Sequence, residues 1–130
     1  MNYIVDTHIL IWAFTEPERL STEIKQALLN NDNTIYYSQF SLWEISIKYA
    51  LEKIELKRNT PEKFYNALSS SFFVCKPIEN EELVSFYKLP IEHKDPFDRV
   101  IIWQAINNNF ILISVDSKLD SYLKHGLKVF

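Results

Sequence analysis

The run Phe110-Ile111-Leu112-Ile113-Ser114-Val115 restricts the fold more than any other stretch of this chain. It is mostly apolar and β-branched and does not alternate with polar residues. As a strand it therefore needs cover on both faces, the situation of a parallel sheet between layers of helices. Asn107-Asn108-Asn109 introduces it and Asp116 stops it. Tyr3-Ile4-Val5 repeats the arrangement and stops at Asp6. In open parallel sheets, ligands gather outside the carboxyl ends of strands, beside the switch in strand order, so both acids stand where chemistry collects. A second role is open to Asp6, as N-cap of the apolar helical segment His8 to Phe14, because a carboxylate oxygen satisfies a free N–H there.

Between these two runs the signals alternate. Ser21 caps a helix whose Ile24, Ala27 and Leu28 share one face, Asn30-Asn31-Asp32-Asn33 turns, and Thr34-Ile35-Tyr36-Tyr37 reads as the second strand. Ser38 then caps a helix to about Leu51, with Trp43, Ile47, Ala50, Leu51 and Ile54 at helical intervals as its expected apolar stripe. Glu44 falls at the edge of that stripe, where it can also form an ordinary i,i+4 pair with Lys48. Thr60 and Pro61 open another helix through Leu68, and Phe72-Phe73-Val74-Cys75 is the third strand candidate. Glu79 to Leu89 forms a helix ended by Pro90. Asp95 before Pro96 is an N-cap followed by proline at N1. Asp98 then sits at N3 of a helix with core positions Phe97, Ile101, Ile102 and Ala105. The cap explains Asp95 but does not require Asp98. Ser117 to Lys124 is read as a short helix, Gly126 as its stop, and Leu127 to Phe130 as a closing edge strand. The fold class is α/β: one domain over residues 1–130, with a central, mostly parallel sheet and helices on both faces.

Composition narrows the function. Gly126 is the only glycine, which excludes a Gly-rich phosphate cradle of the nucleotide-binding kinds. Cys75 is the only cysteine, so neither an internal disulfide nor a cysteine zinc site can form. With no basic leader before an apolar run and no apolar stretch of membrane-spanning length, the expected location is the reducing cytoplasm, without membrane association. The net charge of −3 gives no overall basic footprint for nucleic acid. If four acids are committed to one metal ion, however, the remainder is slightly positive, with Lys48, Lys53, Lys57, Arg58 and Lys63 dense in the middle of the chain.

If strands one and four are neighbours, Asp6 and Asp116 meet above the switch point, and Glu44 and Asp98 can join them from helices packed over that edge. Two like charges 4 Å apart repel by about 4 kcal/mol even at an effective dielectric of 20, so such a cluster needs a cation. An all-oxygen donor set suits Mg²⁺ or Mn²⁺, and the matching substrate is a phosphodiester. Thr7 and Ser114 are candidates to orient an acid or touch phosphate, as are Arg99 and Lys48. His8 is expected to pack or hydrogen-bond on the first helix. His93 is expected either to touch RNA or to lie on the solvent side of its loop, and metal ligation by either histidine ranks below ligation by oxygen. Trp12, Trp43 and Trp103 are read as core packing rather than base stacking.

Four ordered segments carry a resemblance. Val5-Asp6-Thr7-His8-Ile9-Leu10-Ile11-Trp12, Ser41-Leu42-Trp43-Glu44-Ile45-Ser46-Ile47-Lys48, Asp95-Pro96-Phe97-Asp98-Arg99 and Ile113-Ser114-Val115-Asp116 together resemble the PIN-domain ribonucleases, specifically the VapC-like toxins of toxin–antitoxin pairs. The resemblance implies endonucleolytic cleavage of RNA with Mg²⁺ or Mn²⁺ at Asp6, Glu44, Asp98 and Asp116. It also implies a small antitoxin partner and a homodimer or toxin–antitoxin hetero-oligomer. The apolar segment Ile9 to Phe14 then has two possible neighbours, the antitoxin and the core. Glu52 departs from the pattern, since relatives of this branch tend to place Gly after the central helix. Two rival readings share the fold class. A receiver-like phosphoacceptor module would carry paired acids after strand one and a central aspartate after strand three, where this chain has Cys75-Lys76-Pro77. A catalytically silent PIN-like binding protein would keep the fold without the cleavage.

Overall fold

The computed structural model describes residues 1–130. Five strands, β1 (Asn2–Val5), β2 (Thr34–Ser38), β3 (Val74–Lys76), β4 (Ile111–Ile113) and β5 (Lys128–Val129), form one sheet in the order β3-β2-β1-β4-β5. All four pairings are parallel, and Val5 is in register with Tyr37 on one side and Ile113 on the other. The first strand made is thus the central one. Strand order runs away from it in both directions, so the switch lies between β1 and β4.

Strand alternation sorts the apolar side chains into two cores. Tyr3, Val5, Ile35, Tyr37 and Ile113 face one layer, which contains α1 (Thr7–Thr15), α2 (Thr22–Leu29) and α4 (Pro61–Ser69) and receives Ile45 from α3 (Gln39–Ala50). Ile4 and Leu112 face the other, against Ile101, Ile102 and Ala105 of α6 (Pro96–Asn108) and Leu119 and Tyr122 of the 3₁₀ segment Ser117–His125. Ile4, Val5, Leu112 and Ile113 are all essentially without solvent contact, as a parallel sheet covered on both faces requires. The expected caps are in place: Ser21, Ser38, Thr60 and Asp95 each accept a backbone N–H of the helix that follows. Gly126 ends the 3₁₀ segment at φ +97°, and Asn109 ends α6 at φ +56°. No helix is long and apolar enough to cross a membrane.

Four expectations are corrected. β4 is shorter than its apolar run: Ser114 and Val115 have left the sheet, so Asp116 follows a two-residue exit rather than stopping the strand. β3 starts at Val74, after the stacked rings of Phe72 and Phe73. The helix before Pro90 is α5 (Asn80–Ser85), continued only by a 3₁₀ turn over Phe86–Lys88. Most consequentially, the stripe assigned to α3 is mostly turned outward: Ile54 packs against the core and Ile47 is half-buried, but the rest is exposed. Trp43 and Leu51 are 58% and 59% exposed and Ala50 is exposed, whereas Ser41, Glu44 and Ile45 are buried. Phe97 at the start of α6 is also only half-buried, its ring 5.6 Å from that of Trp43. Glu52, the departure noted above, stands at φ +56°, a left-handed conformation that glycine adopts without strain.

Candidate metal centre

Asp6 is the first residue beyond β1, and its N–H still donates to the Ile113 carbonyl at 3.1 Å. Its two possible roles coexist: Oδ1 accepts the Ile9 N–H at 2.9 Å as the cap of α1, and Oδ2 accepts the Ser114 hydroxyl. Burial pushes its carboxyl above the ordinary aspartate value, against the bonds from Ser114 and Ile9. Ser114 also accepts the Asp116 N–H at 3.0 Å, so one hydroxyl joins the acids beyond β1 and β4.

Glu44 is brought in by the polar face of α3 and is 1% exposed. Thr7 donates to its Oε1 at 2.6 Å, Lys48 to its Oε2, and Ser41 lies 2.9 Å from the Thr7 hydroxyl. Thr7 has one proton to give, so with Glu44 as its acceptor the Ser41 hydroxyl becomes the donor, in a relay from Ser41 through Thr7 to Glu44. Burial alone lowers Lys48. The hydrogen bond and charge of Glu44, with Asp95 and Asp98 beyond, outweigh that and hold it above the ordinary lysine value.

Asp95 caps α6 by accepting the Phe97 N–H at 2.9 Å, while its other oxygen stands 3.8 Å from Lys48 Nζ. Asp98, one turn into the helix, is pushed up to about 6, first by burial and then by the charges of Asp95, Glu44 and Asp6. Asp116 accepts the Lys118 N–H at 2.9 Å. Burial raises its carboxyl, but hydrogen bonds from His93 and the Lys118 backbone, with the Lys118 charge, bring it below the ordinary value.

All four predicted acids therefore converge at the carboxyl ends of β1 and β4, with Asp95 beside them. Thr7, Ser114 and Lys48 contact these acids as expected. Arg99 does not: its guanidinium donates to the Leu89 carbonyl at 3.0 Å and lies 4.7 Å from the centre of the Phe86 ring, where it fastens the loop before α6. His93 is corrected in the opposite sense. It is 9% exposed, with Nε2 3.0 Å from Asp116 Oδ2 and 3.4 Å from Asp98 Oδ2. Its backbone is held by fully buried Tyr122, whose hydroxyl accepts the Glu92 and His93 N–H groups at 3.0 and 2.9 Å and donates to the Pro90 carbonyl at 2.7 Å. Nothing local in the sequence signals that anchor. His8 is exposed against Trp12, while Ile9, Leu10 and Ile11 are buried.

The donor set fits a hard divalent cation. Three carboxylates, Glu44, Asp95 and Asp98, act on the Lys48 ammonium, and burial followed by the charges of Asp95, Glu44 and Asp6 raises Asp98 to about 6, an excess of negative charge that a cation would relieve. Ligand atoms of His93, Asp98 and Asp116 all lie within 4.8 Å of one another. Beside Asp6 and Asp116 opens a cavity of about 550 Å³, lined also by Trp12, Arg19 and Lys53. The Arg19 guanidinium rests 4.2 Å from the Trp12 ring centre.

The fold and this acid cluster coincide with the match found for the sequence. The model of the PIN domain family matches residues 3–124, and the chain belongs to that family. A receiver-like module is thereby set aside. Among solved structures, VapBC2 from Rickettsia felis bound to a DNA fragment from their promoter is similar at a TM-score of 0.74 and 20% identity, over 100% of this chain and 98% of that one. VapBC-1 from nontypeable Haemophilus influenzae follows at 0.67 and 20% identity, covering 100% and 97%. A toxin–antitoxin complex from Klebsiella pneumoniae gives 0.56 and 24% identity, covering 89% and 88%. At these identities the likeness is one of fold. No curated protein matched the sequence.

Proposed function

We propose that this chain is a Mg²⁺- or Mn²⁺-dependent endoribonuclease, one nuclease domain over residues 1–130, acting in the cytoplasm as the toxin of a toxin–antitoxin pair. The observation that carries the reading is the convergence of Asp6, Glu44, Asp98 and Asp116, from four different elements, into a pocket with too few positive charges of its own. A cation held by these acids supplies activation of water and neutralisation of charge at phosphorus. The chain's own part is orientation. Thr7 and Lys48 hold Glu44, Ser114 couples Asp6 to Asp116, and Asp98, raised to about 6 by burial and neighbouring acids, is the carboxylate that a cation would relieve. The adjoining cavity sets Lys53 and Arg19 beside Glu16 and Glu55, with Arg19 paired to Glu16 at 3.4 Å, which leaves Lys53 as its one cation with no ion pair for an RNA strand leaving the centre.

The antitoxin partner, and assembly as a homodimer or toxin–antitoxin hetero-oligomer, are supported by the toxin–antitoxin complex among the structures of similar fold. A separate apolar cleft of about 260 Å³, lined by Ala13, Phe14, Leu28, Phe72 and Phe73, is a suitable seat for that partner. The test uses antitoxin-free protein, mixed RNAs and either ion. Cleavage should fall by at least about a hundredfold in Asp6→Asn and Asp98→Asn and stop with EDTA. Equal cleavage in every lane would expose a contaminant, and RNA binding without turnover in both metals would favour the silent module.

A further inference from the structure

His93 offers the cluster a nitrogen, and the way its two ring nitrogens are engaged decides what that nitrogen does. Nδ1 accepts the Asp95 backbone N–H at 3.1 Å. A ring nitrogen that accepts a hydrogen bond carries no proton, so the proton of the neutral imidazole sits on Nε2. Nε2–H therefore donates to Asp116 at 3.0 Å and stands 3.4 Å from Asp98 Oδ2, close enough to touch it without a hydrogen bond. For Nε2 to bind a metal it would need a free lone pair. The proton would have to move to Nδ1, where it would meet the Asp95 N–H head-on at the cap of α6. The backbone resists the adjustment as well, because Tyr122 holds the Glu92 and His93 N–H groups together.

We infer that His93 is a positioning residue and not a metal ligand: its Nε2–H, bonded to Asp116 beyond β4 and packed 3.4 Å from Asp98 on α6, bridges the two acids by contact and sets their spacing, leaving the cation an all-oxygen donor set. The consequence for metal binding rests on the proposed nuclease reading; the bridge itself is a property of the metal-free protein. It predicts a preference for hard cations in a site that holds an imidazole, since the nitrogen that would attract softer ions is already occupied by its proton.

The test has two readouts. Long-range ¹H–¹⁵N spectra of the full-length protein with labelled histidines, assigned by loss of signals in His93→Gln, should show His93 protonated at Nε2 and bare at Nδ1, with and without Mg²⁺. Protonation at Nδ1, or loss of the Nε2 proton when the ion is added, overturns the bridge. Mn²⁺ affinity is then measured by electron paramagnetic resonance in variants of matched melting temperature. His93→Gln, whose amide N–H can still donate, should stay within about threefold of wild type, while His93→Leu should weaken binding by about 10–100-fold. Equal affinity in His93→Leu, or nitrogen bonded directly to Mn²⁺ in the wild type, also overturns it. Wild-type protein that binds neither ion defeats the metal-centre reading and the role of the bridge with it. A wrong tautomer defeats the bridge alone, so the two failures are seen in different measurements.

Discussion

α3 and α6 each carry one of the four acids, yet they bury opposite kinds of surface. α6 packs Ile101, Ile102 and Ala105 against the sheet and presents Asp98 only from its first turn. α3 turns Ser41, Glu44 and Lys48 inward with Ile45 and leaves Trp43 and Leu51 to solvent. The acids differ accordingly. Glu44 has both oxygens met by donors, from Thr7 and Lys48, whereas the neighbours of Asp98 are chiefly other negative charges. One carboxylate is locked by donors and the other is left among like charges. A helix that roofs a charged site thus inverts the usual relation between apolar periodicity and burial.

The largest separation should come from stability. Ile101→Ala removes an apolar side chain from a closed core and should cost about 2–5 kcal/mol. Glu44→Ala should cost about 2 kcal/mol, mainly by stripping Lys48 and Thr7 of their acceptor. Urea denaturation of both variants measures the difference, and a negligible loss at Glu44 would mean that the α3 network contributes nothing to folding.

Asp98 should respond to pH in a way that Glu44 does not. Its carboxyl is raised from 3.8 to about 6 in the folded state, so its stabilising contribution is complete below 3.8 and disappears as the pH rises through about 6. Metal-free wild type should therefore lose stability relative to Asp98→Asn between pH 4 and pH 7, mostly below pH 6, and Mg²⁺ should close the gap at pH 7. Melting curves at both pH values check this, and parallel curves would break the contrast between the two acids.

The smallest effect is expected at Trp43. Its ring touches Phe40 and Phe97 edge-on but remains 58% exposed, so Trp43→Ala should cost about 1 kcal/mol, well short of the roughly 3–5 kcal/mol of a buried tryptophan. A loss in the larger range would restore the apolar stripe first assigned to α3.

That stripe shows where local reading ends. The strands, the caps at Ser21, Ser38, Thr60 and Asp95 and the acids near the exits of β1 and β4 were legible because each depends on neighbours within a few residues. The inward face of α3 was not, because it is chosen by Asp6, Thr7, Asp95 and Asp98, which come from other elements. His93 was misjudged for the same reason: its anchor, Tyr122, lies 29 residues away, and no spacing rule connects them. Arg99 was drawn to the acids by its adjacency to Asp98, although helical geometry sends the two side chains in different directions.

The place of β1 in the middle of the sheet has a consequence for synthesis. β1 leaves the ribosome before the other four strands of its sheet, but one of its two flanking partners, β4, begins at Ile111 and the hydroxyl that fastens Asp6 belongs to Ser114. Throughout most of translation Asp6 has no counterpart across the switch. Within this domain the acid centre is complete only once Ser114 and Asp116 have been made, and a product truncated before Ile111 would be born without it.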